Sequence, residues 1–293
     1  MMKYYYVLSL FCGLSIGVQA QEKINFNPKY KAETNYKIEN YSNEEKIVDF
    51  KGDISYLVAL KRQGITLPMR VKDVSKDVFY LSKKTENKKK TPFSFYYVKT
   101  DRENYLNDSL EQKEKSNSIG IVLTGFFDEL QKIKINKISG TNLSANGRKV
   151  MTNSVEKIVN ATTFPTKEMQ IGDSFDIKLT RESNITGIGA VEYQSTSVFE
   201  LVDIKEGKGY FKETVTLSAK IPERSIKQMK FKGEGEGQLI YHLGDELIEK
   251  VETSTKASFY MEIEEVSTTI EMKDTTRITT SIVTAEEIEE LQY

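Results

Sequence analysis

Between Phe231 and Leu243 the chain alternates without a break. Phe231, Gly233, Gly235, Gly237, Leu239, Tyr241 and Leu243 occupy the odd positions, and Lys232, Glu234, Glu236, Gln238, Ile240 and His242 the even ones. A period of two belongs to an extended strand, whose side chains point to opposite faces in turn. One face is therefore apolar or bare and the other mostly charged. The run closes on Gly244-Asp245, and two more alternating runs follow. Val251 to Ile263 carries Val251, Ala257, Phe259, Met261 and Ile263, and Thr268 to Val283 carries Ile270, Met272, Ile278 and Ile282. This is a meander of long antiparallel strands with one wet face. The alternating glycines are the most specific feature, because a strand gains nothing from a residue with no side chain to pack. They leave a smooth strip about 14 Å long at roughly 3.4 Å per residue. Either something bulky lies on it, a helix or a ligand, or the strand bends sharply there.

Residues 1–20 read as a leader rather than fold. Lys3 gives a positive start, Tyr4 to Gly17 is apolar, and Val18-Gln19-Ala20 fits small-x-small cleavage. The apolar run is short for a bilayer span. Phe11 before Cys12 argues against lipid attachment at that cysteine. Export to a periplasm or the exterior is expected. Cys12 is the only cysteine, so the chain beyond the leader is stabilised by burial without disulfides. With 42 basic against 43 acidic residues, a partner held by phosphate contacts is not expected. No second apolar run is long enough for a transmembrane helix.

Along the chain, Tyr36 and Ile38, then Ile47, Val48 and Phe50, read as short strands around a turn at Asn40–Glu45. Ile54, Tyr56, Val58 and Leu60 alternate, as do Ile65, Leu67, Met69 and Val71 beyond Gly64; Val78–Leu81 and Phe93–Tyr97 follow. The basic run Lys83–Lys90 reads as a solvated hairpin tip, and Lys99–Ser118, polar throughout, as a long loop or lid. In the middle, Ile121, Val122, Leu123, Phe126, Phe127 and Leu130 fall within one arc at 100° per residue. A helix is expected over Ser118–Gln131. Ile133 and Ile135 suggest a strand, Asn146-Gly147 a hairpin turn, and Asn153–Asn160 a second helix capped by Asn153 or Ser154. Phe164-Pro165 ends it. Strands resume at Phe175, Val191–Val202 and Tyr210–Ile221, and Ala285–Tyr293 is an acidic tail. The organisation predicted is a leader (1–20), one β-rich domain (21–284) with meander halves at 21–117 and 161–284 around a helical insertion (118–160), and the tail (285–293).

Phe164-Pro-Thr-Lys-Glu-Met-Gln-Ile-Gly-Asp-Ser-Phe175, Gly233-Glu-Gly-Glu-Gly237 and Tyr241-His-Leu-Gly244 together resemble an uncharacterised family of secreted bacterial proteins. That family has no established activity, so the resemblance implies no functional residue. The strand–helix–strand layout is also similar to the half-barrel of periplasmic lipoprotein-localisation carriers, in which a curved antiparallel sheet cups an apolar cavity closed by helices. This is likeness of fold only.

Chemistry is sparse. His242 is the only histidine, no Gly-x-Ser-x-Gly elbow is present, and a serine nucleophile lacks a positioned base elsewhere. A zinc site is not expected from one histidine and one leader cysteine. Glu262, Glu264, Glu265 and Asp274 could supply calcium with oxygens, but no Asp-x-Asp-x-Asp-Gly loop occurs. Glu234 and Glu236 project from one face about 7 Å apart, within reach of glycosidase chemistry, as any polar strand face would be. No catalytic, cofactor or metal site is therefore expected. The fold expected is mainly β, a large curved antiparallel sheet with one or two central helices over its concave face. Its function is expected to be non-enzymatic binding of a hydrophobic or lipid-like ligand. Phe126, Phe127, Leu130, Gly233, Gly235, Gly237, Leu239 and Tyr241 are the candidate ligand-facing residues. The alternatives are an envelope interaction protein using exposed strand edges and, more remotely, a carboxylate-dependent hydrolase.

Overall fold

The computed structural model describes residues 23–85, 90–116, 120–129, 132–140, 144–161, 164–185, 189–220, 228–263 and 266–289. The expected leader, Leu130, Glu264, Glu265, the middle of the basic tip and the end of the acidic tail lie outside the described residues. In chain order the elements are β1 (Lys23–Phe26), β2 (Asn35–Lys51), α1 (Ile54–Arg62), β3 (Met69–Lys83), β4 (Thr91–Leu106), β5 (Ser109–Ser116), β6 (Val122–Phe127) and β7 (Ile133–Ser139). Then come α2 (Ala145–Ala161), β8 (Lys167–Gln170), β9 (Ser174–Ile185), β10 (Gly189–Lys205), β11 (Lys208–Lys220), β12 (Gln228–His242), β13 (Leu247–Ile263), β14 (Val266–Val283) and α3 (Ala285–Glu289).

The alternating glycine-rich run forms β12, and its alternation holds. Leu239 and Tyr241 are buried, while Lys232, Glu234, Glu236 and Gln238 are exposed. It lies inside a 12-stranded antiparallel sheet of order β7-β6-β4-β3-β2-β14-β13-β12-β11-β10-β9, with β5 added beside β4. The two meanders are one sheet because β2 pairs β14 from Asn35↔Val283 to Lys51↔Ser267 without a register shift. The path ends at β7 and β9, so the sheet is open. Tight turns set several registers. Glu206-Gly207 between β10 and β11, and Asn107-Asp108 between β4 and β5, place both central residues at positive φ, as a two-residue hairpin requires.

The outer face is charged from strand to strand. One cross-strand row reads Thr216, Glu234, Lys256, Lys273, Glu45 and Lys72. Glu252 anchors another, bonded to Gln238 at 3.0 Å, Lys250 at 2.6 Å and Arg277 at 2.5 Å. These contacts hold its carboxyl at a pKa of about 2, the Lys250 bond contributing most. A wall facing lipid carries an apolar outward band instead. This one is built for water.

Two hydrophobic clusters lie on the inner face. One joins Phe175, Phe199, Leu201, Phe211, Leu239 and Tyr241 of β9–β12 to Ile24, Phe26 and Met169 of the small β1–β8 sheet. The pairing of that second layer is Lys23↔Gln170 to Phe26↔Lys167. Phe26, fully buried, lies about 5 Å from the rings of Phe175 (5.1 Å), Phe211 (5.0 Å) and Tyr241 (4.9 Å). The other cluster gathers Tyr36, Leu81, Phe93, Leu123, Phe127 and the isoleucines of β7, with Met151 and Val155 of α2 packed against it. Residues 27–34 cross between them as a strap. Lys29 N donates to Glu246 O at 2.9 Å, the Tyr36 hydroxyl accepts from Lys31 N at 2.7 Å, and buried Lys83 donates to Tyr30 O. Against Tyr36 and Phe127, burial pushes the Tyr30 phenol up to about 12, and Tyr36 adds to the shift.

Five local expectations are corrected. The helix over Ser118–Gln131 is replaced by strand β6 in its described part: its apolar residues serve both faces, and Gly125 is needed because a side chain there would strike the Lys134 carbonyl of β7. Ile54–Leu60 is helix α1 rather than strand. Asp53 caps it, accepting from Ser55 N at 2.5 Å, and Gly64 follows its end at φ 80°. Asn146-Gly147 lies in the first turn of α2, where the Ser144 hydroxyl accepts from Gly147 N at 3.1 Å, so α2 begins well before Asn153. Lys99–Ser118 is mostly the β4–β5 hairpin, held by Lys113–Glu103 at 2.6 Å. Asn40–Glu45 is the middle of one 17-residue strand, β2. The acidic tail begins as a helix: Thr284 and Glu287 cap each other, with Thr284 N donating to Glu287 at 2.8 Å.

A candidate ligand pocket on the inner face

Between β3, β4, β5 and α2 the inner face holds a pocket of about 360 Å³, lined by Asp77, Phe79, Tyr97, Thr100, Arg102, Glu114, Ile121 and Met151. Ligand sites usually span about 300–1,000 Å³. Register explains how these residues meet. Asp77 faces Thr100, Phe79 faces Tyr97, and Arg102 faces Glu114. A bulge opposite Val78/Phe79 shifts β4 by one residue. It turns inward the odd positions up to Tyr97 and the even positions from Thr100 onward.

The pocket has two sides. On the apolar side, Tyr97 stands edge-on to Phe79 at 4.7 Å, and Phe79 stacks on Phe95 at 5.2 Å. The Tyr97 amide donates to Ile121 O at 3.0 Å, which ties the β6 approach to this wall. Met151 closes the side from α2. On the polar side are Asp77, Thr100, Arg102 and Glu114. Asp77 accepts from Asn40 Nδ2 at 3.2 Å, and Gln112 donates to Glu114 at 2.5 Å. Arg102 makes no ion pair among the described residues. The Tyr97 phenol is pushed above its ordinary pKa, chiefly by burial and further by Asp77, with Arg102 opposing. The phenol therefore stays neutral at the boundary between the two sides.

The residues predicted from sequence as ligand-facing are scattered. Phe127 is buried against Phe93 at 5.0 Å. Phe126 points the other way, under the Lys90 ammonium at 4.2 Å. Leu239 and Tyr241 are fully buried in the aromatic cluster below β1–β8, where the Tyr241 hydroxyl donates to Asn25 O at 3.3 Å. The glycine strip is occupied by its neighbours. A side chain at Gly233 would meet Leu217 at 2.6 Å, one at Gly235 would meet Ser254 O at 2.6 Å, and one at Gly237 would strike the Glu213 carboxylate. Glu213 is itself buried and accepts from Thr253 Oγ1 at 2.5 Å. Side chains of β11 and β13 fold across the strip.

The remaining candidates stand apart from the pocket. His242 Nδ1 lies 3.2 Å from both the amide and the carboxylate of Asp245, in the β12–β13 turn. Glu234 and Glu236 are on the solvated outer face. Among the described residues no group of three or more His, Cys, Asp or Glu side chains could hold a metal ion, and no helix is long and apolar enough to cross a membrane. The motif that carried the family resemblance is structural in this chain. Phe164 and Phe175 pack edge-to-face at 6.0 Å within the aromatic cluster. Gly172, at φ 94°, and Asp173, accepting from Gln170 N at 2.9 Å, make the tight turn between β8 and β9.

No protein-family model matches the sequence, and no curated protein sequence matches it. The resemblance to a secreted family thus rests on its short motifs alone, and that to lipoprotein carriers on the order of strands and helices alone. Among solved structures, the chain is similar to the COG4313 outer membrane channel from Pseudomonas putida F1, at 5% identity and TM-score 0.29, over 87% of this chain and 98% of that one. It is also similar to the translocator domain of autotransporter NalP from Neisseria meningitidis (7% identity, TM-score 0.16, 85% and 89% covered). A third is LpxR from Salmonella typhimurium (10%, 0.14, 80% and 99%). Overlaps this loose support no transfer of function.

Proposed function

We propose that this is an exported, non-enzymatic envelope protein that holds a small amphiphile in the pocket between β3, β4, β5 and α2. The observation that carries the reading is the division of that pocket. Phe79, Tyr97, Ile121 and Met151 offer an apolar wall, and Arg102, without an ion-pair partner among the described residues, stands beside Thr100 on the polar side. A ligand with a short apolar body and a hydrogen-bonding head, set between Arg102 and Thr100 and the carboxylates of Asp77 and Glu114, satisfies both. Export is supported by the charge and apolar pattern of residues 1–20. Native mass spectrometry of the gently purified chain should show a bound amphiphile that solvent extraction removes. A fluorescent fatty acid should rebind the stripped protein and be lost from Met151→Trp, which fills the pocket. A stripped protein that binds no fatty acid, phospholipid or acyl ester refutes the reading.

A second reading, self-association through a sheet edge, is favoured by the contrast between the two ends of the sheet. At β7 the edge is guarded: Glu156 of α2 accepts from Ile135 N at 2.6 Å. At β9, among the described residues, the edge pairs only with β10. Two copies placed antiparallel about Ile177 bring Asp176 opposite Lys178 on the outer face and Phe175 opposite Leu179 on the inner face. Sedimentation of wild type against Ile177→Pro tests it, a monomeric wild type being decisive against it.

A further inference from the structure

We infer that the rim carrying α1 is a docking surface for an anionic lipid bilayer. Helix α1 is apolar at six of the seven positions Ile54-Ser-Tyr-Leu-Val-Ala-Leu60, yet neither hydrophobic cluster includes Ile54, Leu57, Val58, Ala59 or Leu60. Ile54 is 78% exposed and Val58 41%. An apolar helix left in water costs free energy that a partner must recover.

The helix has company. Asn107 N donates to Arg70 O at 2.8 Å, and Arg70 N donates to Asn107 Oδ1 at 2.9 Å. These bonds fasten the β4–β5 tip to the start of β3, beside the α1 connection. That tip carries Leu106 and Leu110, 37% and 51% exposed. Four exposed large apolar side chains are thus gathered at one end of the sheet, opposite the end crossed by the residue 27–34 strap.

Charge selects the partner. From residue 51 to 70 the cations are Lys51, Lys61, Arg62 and Arg70, and the only carboxylate is Asp53, which caps its own helix. The rim also carries carboxylates: Asp108 and Glu111 on the hairpin side, and Glu262 near the end of β13, opposite Ser267, which pairs with Lys51. A protein groove takes a helix by one apolar stripe, whereas α1 is apolar most of the way round with cations at its base. That is the pattern of a short segment dipping into the boundary between headgroups and acyl chains while lysine and arginine meet anionic phosphates.

The test uses the full exported chain and sedimentable vesicles of phosphatidylcholine with about 30 mol % phosphatidylglycerol. Wild type should partition onto them at least about tenfold better than onto phosphatidylcholine alone, and about 0.5 M salt should remove most of that preference. Ile54→Asp combined with Val58→Asp should lower partitioning by at least about tenfold, with the far-ultraviolet spectrum and melting temperature unchanged because both side chains are exposed. Failure of wild type to bind anionic vesicles overturns the inference, as does undiminished binding by the double variant. Concentration-dependent self-association that the double variant abolishes also overturns it, by assigning the rim to a second copy of the chain.

Discussion

The two halves of the inner face are covered in different ways. Over β9–β12 the cover is a second sheet, β1 with β8, which sets Phe26 and Met169 into a field of aromatic rings. Over β3–β7 the cover is a single helix, α2, with the strap at one end. A pleated layer matches a pleated layer along its whole length, and its side chains interdigitate into a filled core. A helix touches a twisted sheet along one stripe, and the space beside the stripe remains. The first half is therefore packed, and the second keeps the pocket. Stability should be concentrated in the first half and ligand response in the second.

Several substitutions would break or sharpen that contrast. Phe26→Ala should have the largest effect, about 3–5 kcal/mol in urea unfolding, since it empties the contact point of both layers. Loss below about 1 kcal/mol would mean that the β1–β8 layer is not a working part of the core. Gly235→Val should cost about 1–3 kcal/mol by overpacking against the Ser254 carbonyl and Thr255, showing that the glycine strip is already filled. Met151→Ala, on the half-buried face of α2, should cost less than about 2 kcal/mol while changing the retention of a bound amphiphile. Equal destabilisation by Met151→Ala and Phe26→Ala would erase the distinction between the halves.

The smallest effect belongs to the outer face. Glu252→Gln should destabilise by about 0.5 kcal/mol at neutral pH, because the ion pairs it removes are near the surface. The Glu252 carboxyl lies below its usual range when folded. Its contribution is present above the unfolded value of 4.5 and is lost as pH falls through about 2. The gap between wild type and Glu252→Gln should therefore close across that window. A gap independent of pH would place the effect in packing rather than charge.

The alternation of β12, β13 and β14 was legible because each strand has one buried and one solvated face, the condition under which a period of two shows in the residues. Where that condition fails, the reading failed. Ile121–Phe127 is apolar on both faces and so imitates a helix; the Lys134 carbonyl against Gly125 decides for strand. Tyr56–Leu60 is apolar throughout, so period alone could not choose, and the Asp53 cap with Gly64 beyond was the available clue. The hairpin Lys99–Ser116 is polar apart from Tyr105, Leu106 and Leu110, too few apolar residues to show a period, and reads as loop. The pocket was hidden for a further reason: the bulge in β4 changes parity between Tyr97 and Thr100, and no feature of the residues announces it.

By itself, the order of the residues determined that the chain folds into long antiparallel ribbons with a wet outer face, that it is stabilised without disulfides, and that a helix precedes Phe164. These follow from local periodicity and composition, which act over a few neighbouring positions. Only the tertiary structure decided that the ribbons form one open sheet, that β1 returns to β8 across more than a hundred residues, and that a bulge and a single helix leave room beside Tyr97. Such outcomes depend on contacts between segments far apart in the chain, whose energies no local pattern encodes.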